Sequence, residues 1–363
     1  MPSATSQSVR PLLEIPFEDL IEGLGGPGRA ASVMRALREG QDPSKSGLVG
    51  KRTQRALQNY CHFSPPPVDH VEEAEDGTLK VVLRLADQAR IETVLIPTAE
   101  RTTVCISSQV GCARQCQFCM TAEMGMMRQL STAEILMQVW WARHIAVQRN
   151  YPTLRNIVFM GMGEPLDNWT AVEPAIAFLT DQRMHGFGAR HVTLSTVGPT
   201  VEKIRLLDKV PCKLAWSLHQ TSSDKRRQLI PTQRQELPEL IKAFKDVVDL
   251  RNDSLFLEYT LIAGLNDSLE EAEALAALAC SFGPDTRVNL IPVNPGRTDM
   301  RAPSDESSKA FAQCLRERGV LTMLRLARGQ DQSAACGQLI QRLKKKRAGE
   351  TPARFVILDQ EDT

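Results

Sequence analysis

Val104-Cys105-Ile106-Ser107-Ser108-Gln109-Val110-Gly111-Cys112-Ala113-Arg114-Gln115-Cys116-Gln117-Phe118-Cys119 is the stretch on which the reading of this chain turns. Residues 104–110 read as a strand, and the loop after it carries three cysteines, spaced Cys112-x3-Cys116-x2-Cys119. Three thiolates at that spacing can wrap one cubane [4Fe–4S] cluster, ligating three of its irons and leaving the fourth open. A structural zinc ion draws four protein ligands, usually as two pairs, so zinc here would have to recruit a distant His191 or His219. Plain core cysteines are a third reading, against which stand Gly111, Arg114 and Gln115, which make the loop polar.

From this loop outward, strands and helices alternate. Strands are expected at 104–110, 156–160, 191–195, 213–218, 255–262 and 286–291, with helical patterns near 131–149, 169–181, 199–208, 237–250, 268–282 and 304–318. Ser131-Thr132-Ala133-Glu134 opens the first helix as a capping box, followed at once by apolar Ile135 and Leu136. Repeated βα units imply an α/β fold with a parallel sheet and right-handed crossovers. Six units make an open, partial (β/α)6 barrel of the TIM type, because the closed form takes eight. This main domain is placed at 103–343. A short strand over 321–326 precedes a last helix from about Ala334, whose basic end (Lys344, Lys345, Lys346, Arg347) opens a tail over 344–363.

Chemistry in βα barrels gathers at the C-terminal ends of the strands. The second strand runs into Gly161-Met162-Gly163-Glu164-Pro165, the third ends in Ser195-Thr196, the fourth in Ser217-Leu218-His219, and Asn294 follows the sixth. Each alone is an ordinary turn residue. Four such marks in register with the cysteine loop line one mouth of the barrel.

The remaining chain is smaller in scale. Helices are expected at 17–24, 29–38 and 51–60, after a frayed segment 1–16. Gly25-Gly26-Pro27-Gly28 breaks the first from the second. Pro65-Pro66-Pro67 then leads to strands 68–73, 79–85 and 91–96, so 1–64 is an accessory helical domain and 65–102 a linker with a β-extension. Lys+Arg total 44 against 43 Asp+Glu, so bulk charge argues for neither nucleic acid nor membrane, and an anionic partner needs a local basic patch. No apolar run nears the ~20 residues that span a bilayer. Met1 to Leu13 has no signal-peptide core, and a cytoplasmic protein is expected. Nine cysteines in such a compartment are packed residues, metal ligands or reactive thiols rather than structural disulfides. Cys336, in Ala334-Ala335-Cys336-Gly337-Gln338-Leu339 at the start of a helix, reads equally as a dipole-activated thiolate or as a small packed residue.

The triplet spacing resembles the signature of the radical S-adenosylmethionine (SAM) superfamily, and Gly161 to Pro165 resembles its GxGEP element. The resemblance narrows further. Cys105 to Cys112, the triplet, Met160 to Leu166, His191 to Gly198, Ser217-Leu218-His219, Asn289 to Pro295 and Ala334 to Leu339 are similar to the RlmN/Cfr rRNA methyltransferases, over about 80–343. That resemblance implies a cluster on Cys112, Cys116 and Cys119, and SAM held by Gly163, Glu164, Ser195, Ser217, Leu218, His219 and Asn294. It implies two SAM molecules per turnover. One methylates Cys336; the other, cleaved at the cluster, supplies the radical. It also implies a transient disulfide of Cys336 with the resolving Cys105, and Glu92 as proton acceptor. On the residues alone, Glu92 is a glutamate facing water on an alternating strand, and Cys105 a core residue. The implied substrates are carbon 2 of an adenosine in 23S rRNA and the adenosine 3′ of the tRNA anticodon, as in RlmN, with carbon 8 of the rRNA base, as in Cfr, the alternative. The implied partners are RNA and an external electron donor such as flavodoxin, with a monomeric enzyme and no membrane. The segment 1–64, with Arg29, Arg35, Arg38, Lys45, Lys51, Arg52 and Arg55, looks like a helix-hairpin-helix module that grips RNA, or is simply a solvated charged face.

Overall fold

A computed structural model describes residues 10–294 and 299–325. Cys336, the helix expected from Ala334 and the 344–363 tail lie outside the described residues. The chain opens with a two-residue strand β1 (Arg10–Pro11) and helices α1 (Phe17–Leu24), α2 (Pro27–Arg38) and α3 (Lys51–Tyr60), closed by β2 (Cys61–His62) parallel to β1. The first turn is not wholly frayed, because Leu12, Leu13 and Ile15 are buried in the main core. Gly25 ends α1 in the left-handed region (φ 74°) and Pro27 starts α2, a turn that suits only those residue types.

Three antiparallel strands follow, β3 (Val68–Glu73), β4 (Leu79–Arg84) and β5 (Arg90–Pro97). They continue directly into the main sheet, since β5 pairs antiparallel with β6 (Thr102–Cys105). Then come a small hairpin β7 (Gln109–Gly111) and β8 (Met126–Gln129), helix α4 (Thr132–Gln148), β9 (Leu154–Phe159), α5 (Trp169–Thr180), β10 (Val192–Thr196), α6 (Val201–Arg205) and β11 (Lys213–Ser217). The chain continues through α7 (Ser223–Leu229), α8 (Leu237–Arg251), β12 (Leu255–Leu261), α9 (Leu269–Cys280), β13 (Arg287–Pro292), α10 (Asp305–Glu317) and β14 (Leu321–Leu324). Strands β6, β9, β10, β11, β12, β13 and β14 are parallel neighbours in that order, so six βα units build the expected partial barrel.

Two expectations need correction. The strand expected over 104–110 stops at Cys105, and Gln109–Gly111 turns away to pair with Met126–Gln129. At the departure the Ser108 and Gln109 N–H groups both donate to the Met162 carbonyl, at 2.8 and 3.2 Å, in place of a strand partner. Helix α7 is absent from the sequence reading, because Ser-Asp-Lys-Arg-Arg-Gln-Leu shows no apolar stripe; Ser222 caps it by accepting from the Lys225 N–H at 3.3 Å.

Helix α4 is apolar almost all round, which fits an element buried on both sides. One face packs on the sheet. The other carries the N-terminal helices, with Trp140 Nε1 donating to the Gln41 carbonyl at 3.2 Å and Trp141 Nε1 to that of Pro66 at 3.0 Å. Arg38 donates to the Met184 carbonyl at 2.6 Å, tying α2 to the loop after α5. The predicted capping box is present: the Glu134 N–H donates to Ser131 Oγ at 3.2 Å and the Ser131 N–H to Glu134 Oε2 at 2.9 Å. Ser131→Ala is therefore expected to cost about 1 kcal/mol, read as a lower urea midpoint at unchanged slope.

Among the described residues no disulfide links two cysteines; the expected transient Cys105–Cys336 bond involves Cys336, which lies outside them. No described helix is long and apolar enough to cross a membrane.

Candidate active site

The C-terminal ends of the parallel strands open into a cleft. Cys112, Cys116 and Cys119 line it together with Gly163, Glu164, Ser195, Ser217, His219 and Asn294. The strand-end marks and the cysteine loop therefore meet. Leu218 does not line the cleft and is fully buried in the main core.

Both side chains and backbone hold the loop: Thr232 Oγ1 donates to the Arg114 carbonyl at 2.7 Å, and Arg114 pairs with Asp167 at 2.6 Å. The Cys112 N–H donates to the Gly125 carbonyl at 2.9 Å, and the Gln117 N–H to the Leu229 carbonyl at the end of α7, also 2.9 Å. A Cβ on Gly111 would fall 1.8 Å from the Gly125 oxygen. Burial pushes the Cys112 thiol up to about 12 and raises that of Cys116, with the neighbouring cysteines adding to both. Two such thiols side by side do not ionise together unless a cation joins them.

Glu164 is held at the floor. Its Oε1 accepts from Thr196 Oγ1 at 2.6 Å and the Leu166 N–H at 3.0 Å, and its Oε2 from the Val197 N–H at 2.9 Å. Burial still lifts its carboxyl above the usual range. Gly163 has φ 101°, and a Cβ there would lie 2.6 Å from the Gln109 side chain, whose Oε1 accepts the Glu164 N–H at 2.9 Å. Ser195 Oγ and Ser217 Oγ are 3.2 Å apart. His219 Nδ1 accepts the Thr260 N–H at 3.0 Å, which puts the ring proton on Nε2, and burial holds the imidazole neutral down to about pH 3.

Glu92 and Cys105 sit outside the cleft lining. Glu92 lies on β5 and is only 2 % exposed, so it is not the water-facing residue that alternation alone suggests. Its Oε1 is 3.9 Å from Lys80 Nζ. Ser107 Oγ donates to the Glu92 carbonyl at 2.7 Å and accepts the Met162 N–H at 2.9 Å, so Glu92 and the Gly163 loop share one tether. Cys105 ends β6, opposite Val94 and Val158, and is buried.

The Radical SAM superfamily matches residues 106–279. The dual-specificity RNA methyltransferase RlmN of Marinobacter nauticus is 38% identical over 304 residues, 82% of each chain. That of Geotalea uraniireducens is 42% identical over 300 residues, covering 82% of this chain and 85% of the relative. The chain belongs to the RlmN family of radical SAM enzymes. A crystal structure of a radical SAM methyltransferase from Sphaerobacter thermophilus superposes with a TM-score of 0.83 at 38% identity, covering 91% of this chain and 98% of that one.

Membership in the RlmN family implies a [4Fe–4S] cluster and SAM, and the donor set fits them. Three thiols share one cleft with His219 and Glu164, but His219 Nδ1 is taken by the Thr260 N–H and both Glu164 oxygens accept hydrogen bonds, and among the described residues no three such side chains are placed to hold a single metal ion. His191 lies before β10, at the far end of the strand from the cleft, with Nδ1 3.0 Å from Asn156 Oδ1. The zinc reading thus lacks its fourth ligand there.

Some residues of the site were not singled out from sequence. Glu258 on β12 lines the cleft, accepts from Asn289 Nδ2 at 2.7 Å, and is pushed up to about 6 by burial. An acid inside the apolar run Leu255-Phe256-Leu257-Glu258-Tyr259 was the available signal. Thr196 was noted only as a strand end, yet it bonds Glu164. Arg226 had no signal, as it sits in an unrecognised helix. In the expected RNA-gripping segment, Arg29 donates to the Leu24 carbonyl, Arg38 to Met184, and Arg35 pairs with Glu39, while Lys45, Lys51, Arg52 and Arg55 are exposed.

Proposed function

We propose that this chain methylates carbon 2 of an adenosine in 23S rRNA and of the adenosine 3′ of the tRNA anticodon. The observation that carries the reading is the convergence of the cysteine triplet and four strand ends on one cleft, in a chain 38% identical to a dual-specificity RNA methyltransferase. When bound, the cluster and SAM supply an organic radical and a methyl group, which suits an electron-poor amidine carbon that no polar methyl donor attacks. Cys112, Cys116 and Cys119 hold the cluster. Gly163, Glu164, Ser195, Ser217, His219 and Asn294 orient SAM, with Leu218 shaping the strand end from behind. Cys336 carries the methyl group as a thioether, so that two SAM molecules serve each turnover. Glu92 accepts the ring proton. Cys105, as thiolate, would attack the Cys336 sulfur and break its bond to the methylene carbon, so that a transient disulfide forms and the carbon, keeping the bond's electron pair, takes a proton and leaves as the product's methyl group. An external one-electron donor such as flavodoxin serves the cluster, and the exposed cations Lys51, Arg52 and Arg55 meet RNA phosphates.

Anaerobically reconstituted protein is expected to yield 2-methyladenosine in nucleosides from both rRNA and tRNA. Finding 8-methyladenosine alone would reassign the carbon, and no methylated adenosine in tRNA would remove the second substrate. Cys105→Ala is expected to leave a covalent protein–RNA adduct, visible as a shifted band on a denaturing gel. Full turnover with no such band would refute the resolving role.

A further inference from the structure

A second buried ion lies directly behind the cleft. Arg226 is 1 % exposed, although arginine is rarely buried without an anionic partner. Its Nε donates to the Leu218 carbonyl at 2.9 Å, and Nη2 to the carbonyls of Val197 at 2.6 Å and Ser217 at 3.1 Å. Nη1 is buried with no hydrogen-bond partner. The carbonyls are neutral, and the carboxylate that acts on the guanidinium is Glu164, across Val197; removing a guanidinium from water is costly unless enough negative charge answers it. The helix that carries Arg226 backs the cysteine loop: Leu229 and Ile230 pack with Cys116 and Val197 in one apolar cluster. Val197 joins the two ions: its carbonyl accepts from Arg226, and its N–H donates to Glu164.

We propose that Arg226 is a positioning residue of a particular kind: a fixed positive charge behind the cysteine loop that favours the one-electron-reduced state of the cluster. The proposal rests on the cluster reading above. An oxidised [4Fe–4S]2+ core with three thiolates carries one net negative charge, and one electron from a low-potential donor makes it two, with no proton moved. A buried cation held at a fixed site is barely screened, so it stabilises the more negative state. Net charge around a cluster is one of the levers that set its potential.

The test uses reconstituted full-length protein without SAM, titrated with dithionite and followed by electron paramagnetic resonance, with iron and sulfide measured on each sample. Arg226→Met, with its cluster intact, should be reduced at least tenfold less favourably, a fall of about 59 mV for one electron. Arg226→Lys, which loses the three-carbonyl fork and keeps the charge, should stay nearer the wild type. Equal potentials in all three proteins would overturn the proposal. If the Met protein folds by circular dichroism and holds no iron, Arg226→Gln and Arg226→Lys decide: iron retained with Lys alone supports the charge requirement, and iron lost from both overturns it. Wild-type protein that assembles no iron–sulfur cluster would instead sink the cluster reading itself.

Discussion

A Gly111→Ala protein is expected to fold and to bind almost no iron. The added methyl would lie 1.8 Å from the Gly125 carbonyl oxygen, a contact no side chain makes, at a residue whose φ is 79°. The carbonyl cannot retreat cheaply, because it also accepts the Cys112 N–H at 2.9 Å. Strain of this size exceeds ~4 kcal/mol, which displaces the loop geometry by roughly a thousandfold. The clash is confined to the β7–β8 hairpin, whose two strands enter the large core only through Val110. Circular dichroism and the thermal midpoint should therefore stay near the wild type while iron per chain collapses. A Gly111→Ala protein with full iron content would show that the hairpin does not set the cluster loop.

Cys119→Ala should remove the brown chromophore and, with it, reductive SAM cleavage. Two thiolates hold a cubane poorly. Even outer contacts to a metal centre are worth about 10–100-fold, so loss of a direct ligand should exceed a hundredfold in 5′-deoxyadenosine release. The carboxylate and imidazole that line the cleft are committed elsewhere, Glu164 to Thr196, Leu166 and Val197 and His219 Nδ1 to the Thr260 N–H. Retained colour and full iron in the Cys119→Ala protein would contradict the ligand assignment.

The parts of the fold that were legible are those in which local pattern and tertiary environment agree. The alternation of βα units, the capping box at Ser131 and the two helices at 17–24 and 51–60 match the structure at their stated bounds or close to them. The misses share one cause, that burial depends on what lies across the fold. Glu92 alternates like a surface residue, and only β4 and the Met162 loop on either side make it buried. Leu12, Leu13 and Ile15 look like a loose terminus until α4 packs on them. Arg226 and Arg227 are neighbours of one type, and nothing local distinguishes the 1 % exposed cation from its partner on the surface, paired with Asp224 and Glu236. For the site, the spacing of the cysteines and the residues at strand ends were legible because ligation and strand polarity are local rules. The Glu258–Asn289 bond was not, since it joins strands 31 positions apart.

The antiparallel strands β3, β4 and β5 occupy the very edge of β6 that a closing strand would need. The barrel is thus a trough rather than a pipe: among the described residues its two rims, β3 and β14, never meet. A pipe admits only what is narrow enough to thread its bore. A trough admits anything that can be laid across it, so a folded polynucleotide can dip a single base to the floor while its bulk stays outside.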